Sequence, residues 1–433
     1  MARERTPLGL SAYRGATTLL APLAGKILRR RLRQGKEVAE RIGERIGNPG
    51  LARPQGPLVW FHAASVGETN AILPLMHRIA RRYPQVKLLL TTVTVTSAQM
   101  ASTRMPEGTI HQFAVLDTPA PVKRFLDFWK PDLTVFAESE IWPNMLMQLK
   151  ARGIPAALVN GRMSDRSFKR WKLAPQTVGW LLNAYTVCLA QSDADTRRLR
   201  ELGARHAQRT GNVKFDVPAP AASAMDLAAF RSALGTRPVW VAASTHPGEE
   251  AVVLEAHVRA MRSHKGLIVL LAPRHPERAR EIVGMAAKLD LKTSVRSTSR
   301  LPREGDDVFV FDTIGELGLA YRLSETAFIG GSLAKRGGQN PIEPAKLHTA
   351  ILHGPYTFNF ADAYAALDEL GGAELVDGPL KLAQSVERLV ANPAARRLRA
   401  EAAASAIEPL GGALDRSFAA LAPLIEKTIG REA

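Results

Sequence analysis

Ten short, almost unbroken apolar runs, each followed by a stretch of helical periodicity, limit what this chain can fold into more than any other feature. PLVWFHA, KLLLTT, DLTVFAE, IPAALVN and TVCLAQ come first; PVWVAAS, LIVLLAP, DVFVFD, TAFIGG and TAILHG follow. A strand wet on one face alternates apolar and polar residues, so runs this continuous suit strands covered on both faces, as in a parallel sheet flanked by helices. The chain therefore reads as α/β. Between the two sets lies DVPAPAASAMD, rich in Pro, Ala and Ser and without strong apolar periodicity, which reads as a linker. Two βα domains of similar size result, the first ending near Phe215. A chain of 433 residues is also too long for one ordinary core. The stretch from about Pro393 reads as two helices that the pattern assigns to neither domain.

Charge narrows the choice of partners. Lys and Arg outnumber Asp and Glu by 58 to 41, a formal net charge of +17. Such an excess asks for nucleic acid, an anionic membrane surface or a polyanionic substrate. Nucleic acid is set aside: no DNA- or RNA-binding motif is present, and aromatic residues amount to 6%. The lone cysteine, Cys188, lies in an apolar run and can form no internal disulfide, which fits a reducing cytoplasm.

Leu8 to Leu32, LGLSAYRGATTLLAPLAGKILRRRL, is apolar but broken by Arg14, Pro22 and Lys26 and runs into Arg29, Arg30, Arg31 and Arg33. It is too interrupted for a spanning helix and lacks a signal-peptidase pattern. An amphipathic helix lying in the interface of an anionic leaflet fits it, each basic residue near the surface contributing about 1 kcal/mol. A soluble helix with a solvated basic face is the competing account.

Ligands of open α/β sheets bind beyond the carboxyl ends of the strands. After PLVWFHA, Gly67 permits a turn and Glu68 opens a helix; Glu68 is either a partner of the helix dipole or a base for an attacking hydroxyl. After DLTVFA come Glu138 and Glu140, then Trp142, suited to clamping sugar hydroxyls, though one acid could simply cap a helix. GRMSDRSFKRWKL carries Arg162, Arg166, Lys169, Arg170 and Lys172, a basic face able to bind a phosphorylated acceptor or merely to be solvated. Asn212 and Lys214 stand close to the hinge.

In the second half, Ser244 and Thr245 are placed to cap a helix that starts with Glu249 and Glu250, and His246 in the same turn could reach an anion. Arg274 and His275 end the next strand, and an arginine fork binds phosphate in bidentate fashion. Gly315 and Glu316 form another glycine turn at a helix start. The stretch FIGGSLAKRGGQNPIE then joins a strand, two glycine pairs, Lys335, Arg336 and a helix opening near Pro341. Glycines at Gly337 and its neighbours let backbone approach a phosphate, the helix end offers free N–H groups, and Glu343 one turn in could accept a ribose diol. The 10 histidines show no zinc-ligand spacing, so no metal or other cofactor is expected. GxSxG, Walker and first-strand GxGxxG motifs are missing too, which weighs against hydrolase, ATPase and dehydrogenase chemistry.

FHAASVGE, TTVTVTSA, ESEIWPN, NGRMSDRSF, GNVKFD, ASTHPGEE, APRHPER and FIGGSLAKRGGQNPIEPA, in this order, resemble the 3-deoxy-D-manno-octulosonic acid (Kdo) transferases of lipopolysaccharide synthesis in Gram-negative bacteria. The resemblance implies a GT-B glycosyltransferase fold, two Rossmann-like βα domains facing across a deep cleft, with an N-terminal membrane-associating helix. It implies CMP-Kdo as donor, a lipid A precursor as acceptor, inversion at the anomeric carbon, no required metal, and a peripheral or monotopic place on the cytoplasmic face of the inner membrane. Glu68 matches the family's general base and Glu138 a second acid of the active site. Arg274 matches the CMP-phosphate ligand, and Gly315, Glu316, Asn340 and Glu343 the nucleoside pocket. Ser244, Thr245, His246, His275, Gly337 and Lys214 join the expected donor site; Arg162, Arg166 and Lys169 the acceptor site.

The expected division is a basic amphipathic segment over 1–50, an acceptor-binding domain over 51–216, a linker over 217–236, and a nucleotide-sugar domain over 237–433 whose last helix could pack back on the first domain. The N-terminal segment is less apolar than the family's anchors, which points to weaker, more electrostatic attachment. A GT-B enzyme using a UDP-sugar on a lipid acceptor, and a lipid-binding scaffold without turnover, stay open as rivals.

Overall fold

The computed structural model describes residues 5–430. The chain forms two compact units: the first runs to Val217 and resumes at Gly411, and the second spans Pro218–Leu410. In the first, β1 (Leu58–Ala63), β2 (Lys87–Thr92), β3 (Ile110–Phe113), β4 (Leu133–Ala137), β5 (Ala156–Gly161), β6 (Val187–Ala190) and β7 (Ala207–Arg209) lie in the order β3-β2-β1-β4-β5-β6-β7, all parallel. In the second, β8 (Val239–Thr245), β9 (Ile268–Pro273), β10 (Thr293–Val295), β11 (Val308–Val310), β12 (Thr326–Ile329), β13 (Ala350–His353) and β14 (Ala373–Leu375) lie in the order β10-β11-β9-β8-β12-β13-β14, again parallel.

Both faces of these sheets are covered. Leu58 and Trp60 of β1 point into one core with Phe125, Trp129 and Leu158, while Val59 and Phe61 point into another with Ile72, Leu90 and Leu421. The ten apolar runs of the sequence are the ten interior strands. The four strands that no run announced, β3, β7, β10 and β14, are the four sheet edges. An edge strand is short and half wet, so its residues carry no continuous apolar signal.

In each sheet the chain turns back past its first strand, so that β1 and β4, and likewise β8 and β12, are neighbours whose connections leave in opposite directions. That is the topological switch point at which such sheets bind ligands.

The expected linker over 217–236 is mostly helix. Ala224–Leu234 buries Phe230 and Leu234, and the Phe230 ring lies 5.4 Å from Phe309 and 5.6 Å from Phe311. Two large apolar anchors dock a segment whose Ala, Pro and Ser content reads as a spacer.

At the C-terminus the helix Pro393–Ile407 stays with the second unit, whereas Ala413–Ile429 belongs to the first. Leu421 and Ile425 enter the first unit's core, and Asp216 accepts hydrogen bonds from Gly412 N and Leu414 N, both at 2.6 Å.

The described residues before Leu51 fall within the first unit. Leu8–Leu20 and Ala24–Arg33 are two helices parted by a 3₁₀ turn at Pro22, which cannot continue an α-helical ladder. Leu10 and Leu28 are buried, Leu10 in a core of the first unit, and a Cβ on Gly9 would lie 2.6 Å from Thr177 Oγ1. Leu8, Leu19, Leu20, Leu23 and Ile27 remain exposed. No helix among the described residues is long and apolar enough to cross a membrane.

Candidate functional site

The first unit gathers carboxylates at its switch point. Ser65 caps the helix Val66–Arg82 through Glu68 N at 3.3 Å, and the Glu68 carboxylate reaches back to Ala64 N at 2.6 Å. This is a capping box displaced by one residue, and it holds Glu68 at the end of β1. Burial pushes the Glu68 carboxyl up to about 7, with the negative charges of Glu140 and Glu138 adding to the effect. A carboxylate so tuned suits proton removal near neutral pH.

Across the switch point, Glu138 follows β4 in the left-handed region at φ 57°, a conformation costing a non-glycine residue about 1–3 kcal/mol. Its carboxylate accepts from Lys214 Nζ at 2.6 Å and from Asn160 Nδ2 at 3.4 Å. Asn160, buried and also left-handed, in turn accepts from Val213 N at 3.1 Å. Glu140 takes the other direction. His62 Nε2 lies 3.3 Å from its Oε2, and the Trp142 indole N–H donates to the same oxygen. His62 Nδ1 meets Thr91 Oγ1 at 2.8 Å, so the ring is held at both nitrogens. Burial raises the Glu140 carboxyl, but the His62 and Trp142 contacts outweigh it and hold the group below its ordinary value.

In the second unit, β8 runs on through Thr245, so Ser244 and Thr245 are strand residues and not helix caps. Gly248 is the N-cap of Glu249–Met261, and Glu249 itself accepts from His246 N at 2.8 Å. Ser244 is left-handed at φ 55°. His246, Arg274, His275 and Arg336 converge: the two imidazole centroids are 6.0 Å apart, and Arg274 N donates to Thr245 O at 2.9 Å. Burial holds the His246 imidazole below its ordinary value; Glu249 opposes this, while the charges of His275, Arg336 and Arg274 reinforce it. Four cationic or potentially cationic groups thus gather just past the ends of neighbouring strands.

The glycine-rich corner is built differently from its sequence reading. Its amides at Gly331, Leu333 and Ala334 are taken by the buried Glu249 carboxylate. Gly337 is needed because a Cβ there would come within 2.5 Å of the Phe358 ring, at φ 89°. The helix after it is only Ile342–Lys346, with Pro341 at its N-cap; Asn340 Oδ1 accepts from Ile342 N at 3.0 Å, and Asn340 Nδ2 donates to Glu343 at 3.1 Å. Burial raises the Glu343 carboxyl. Glu316 stands beside Gly315 with its carboxylate clamped by Arg296 at 2.7 Å, and Arg296 also pairs with Asp226 and stacks over Phe230.

Comparison with known proteins fits this geometry. A family model described as 3-deoxy-D-manno-octulosonic-acid transferase (kdotransferase) matches residues 40–217. The Bordetella pertussis 3-deoxy-D-manno-octulosonic acid transferase is 35% identical over 96% of this chain and 99% of its own. The Haemophilus influenzae enzyme of the same description is 33% identical over 92% and 93%. This chain belongs to the Kdo transferase family. A glycosyltransferase from Rickettsia africae, 11% identical, superimposes with a TM-score of 0.59 over 87% of this chain and 99% of that one, which is a likeness of fold. The transferase is thus a GT-B enzyme of two Rossmann-like units.

Of the residues singled out in the sequence, the first unit brings together Glu68, Glu138 and Lys214, the last as partner of Glu138. Arg162 follows β5 with its N–H on Glu138 O at 3.2 Å, while Arg166 and Lys169 are exposed on the helix Asp165–Trp171. The second unit brings His246, Arg274 and His275 together. His62, Asn160 and Glu249 were not foreseen in these roles. The signal was there in part: His62 and Asn160 are polar residues near the carboxyl ends of β1 and β5, where apolar residues would otherwise continue, and Glu249 opens the helix after β8.

Proposed function

We propose that the transferase moves Kdo from CMP-Kdo to a lipid A precursor, inverting the anomeric carbon and needing no metal. The observation that carries this reading is Glu68, poised at about 7 by burial and by its acidic neighbours at the β1 and β4 ends. A hydroxyl of the acceptor's glucosamine disaccharide attacks the anomeric carbon as the CMP phosphate leaves, through a transition state of oxocarbenium character. Glu68 takes the hydroxyl proton. Arg274, with His246 and Arg336 near it, neutralises the leaving phosphate; one positioned donor of this kind is worth about 3 kcal/mol. Glu138, fixed by Lys214 and Asn160, positions sugar hydroxyls. Gly315, Glu316, Gly337, Asn340 and Glu343 form the nucleoside side of the donor site, with Ser244, Thr245 and His275 toward the phosphate. Arg162, Arg166 and Lys169 receive the acceptor's phosphates.

The same reading puts the enzyme on the cytoplasmic face of the inner membrane. Leu8, Leu19, Leu20, Leu23 and Ile27 offer an exposed apolar face beside Lys26, Arg29, Arg30 and Arg33, the pairing that suits an anionic bilayer surface. The test is incubation of the purified protein with CMP-Kdo and a tetra-acylated lipid A precursor in EDTA and mild detergent, with the lipid products weighed. A gain of one or more Kdo units supports the proposal. No gain from folded protein with CMP-Kdo intact refutes it.

A further inference from the structure

The Glu249 carboxylate is 1% exposed at the residue level and is satisfied entirely by backbone. Its Oε2 accepts from His246 N at 2.8 Å and Gly331 N at 2.6 Å, and its Oε1 from Leu333 N at 2.8 Å and Ala334 N at 3.0 Å. His246 lies just after β8; Gly331 to Ala334 lie just after β12. These are the two strands of the second unit's switch point, 82 to 85 residues apart for the Glu249 contacts to the β12 loop. One buried side chain thus ties together the two loops that border the crevice.

The surroundings leave this tie little slack. A Cβ at Gly330 would sit 2.5 Å from Ser244 O, so the loops touch backbone to backbone. Gln339 Nε2 is 3.0 Å from His246 Nε2, Gln339 N donates to Gly330 O at 2.9 Å, and Tyr364 OH donates to Gln339 O at 2.9 Å. Lys335, Arg336, Gly337 and Asn340 hang on the same loop. Four converging N–H groups around one carboxylate form a closed anion nest of the kind that elsewhere receives a phosphate. Here the protein's own acid fills it.

We propose that Glu249 is a positioning residue for the donor: by occupying the amide nest it sets the β8 and β12 loops, and with them His246 and Arg336, in the geometry that binds the nucleotide phosphate. The donor's phosphate is accordingly bound by side-chain cations and not by the glycine-loop amides. This rests on the reading that the second unit binds CMP-Kdo.

The test is steady-state kinetics of Glu249→Gln, which keeps the volume but turns an NH₂ toward amides. The expected result is a KM for CMP-Kdo raised at least tenfold with acceptor KM unmoved, any fall in kcat accompanying that rise because the same cations face the leaving phosphate. An unchanged donor KM in a folded variant overturns the proposal, as does a loss confined to kcat. Arg274→Ala run alongside separates the two readings: if it too leaves donor KM unchanged, the donor-site reading fails; if only Glu249→Gln is silent, the inference alone fails. Should Glu249→Gln not fold, hydrogen exchange on the natural protein decides. The Gly331, Leu333 and Ala334 amides are expected to be protected before any nucleotide is added. Free exchange that slows only with CMP would show that the nest belongs to the ligand, and would overturn the proposal.

Discussion

The Lys214 ammonium lies 2.6 Å from the Glu138 carboxylate, joining the turn Val213–Phe215 to the residue that follows β4. Both side chains are largely withdrawn from water, with 25% and 12% of their surface exposed, so removing either partner leaves the other charge poorly solvated. Glu138→Gln and Lys214→Met should each lower turnover, and the double variant should lose less than the sum. A double-mutant cycle on kcat/KM should give a coupling of about 1–3 kcal/mol; additive effects would separate the two residues.

Glu68 touches the reacting hydroxyl in the proposed mechanism. Glu68→Gln should leave CMP-Kdo binding intact, measured calorimetrically, and cut turnover by about a hundredfold or more. Near-normal turnover would remove Glu68 from the role of base.

The pH dependence follows from the charges around that carboxyl. Folded protein holds Glu68 protonated below about 7, so kcat/KM should rise with pH and level off above that value. The groups facing Glu68 are Glu140, Glu138 and His62, and burial with the negative charge of Glu140 is what raises it. Glu140→Gln removes that charge, so the acid limb should move to lower pH. A Glu140 that served packing alone would lower the rate at every pH and leave the limb in place.

Leu421 is fully buried in the first unit's core although it stands in the last helix of the chain. Leu421→Ala should cost about 2–5 kcal/mol, read as a lower thermal midpoint of the first unit. An unchanged midpoint would mean that the returning helix is not part of its stability.

Attachment to anionic vesicles should depend on Arg29, Arg30 and Arg33. Replacing all three with Ala should weaken sedimentation with phosphatidylglycerol vesicles by about 1 kcal/mol per charge removed. Equal binding by the variant, or binding that salt does not weaken, would point to the apolar face alone.

The interior strands and the division into two βα units were legible in the residues, which also offered candidate groups at the strand ends. Burial on both faces imposes a continuous apolar run, and that is a local property of ten segments. Glu68, Glu138 and Arg274 could be named as candidates because each stands at or just past the end of such a run. The edge strands were not, because a half-wet strand of three or four residues has no pattern to show. Nor were the partnerships: His62 with Glu140 across 78 residues, Glu249 with Ala334 across 85, Asp216 with Leu414 across 198. Periodicity reports whether a residue faces the core, but which two distant loops meet is set by strand order, and strand order exists only once the sheet has formed. Thus the sequence determined the layers and the candidate acids and bases, while the tertiary structure decided that Glu249 serves a nest instead of a cap and that the last helix closes the first unit.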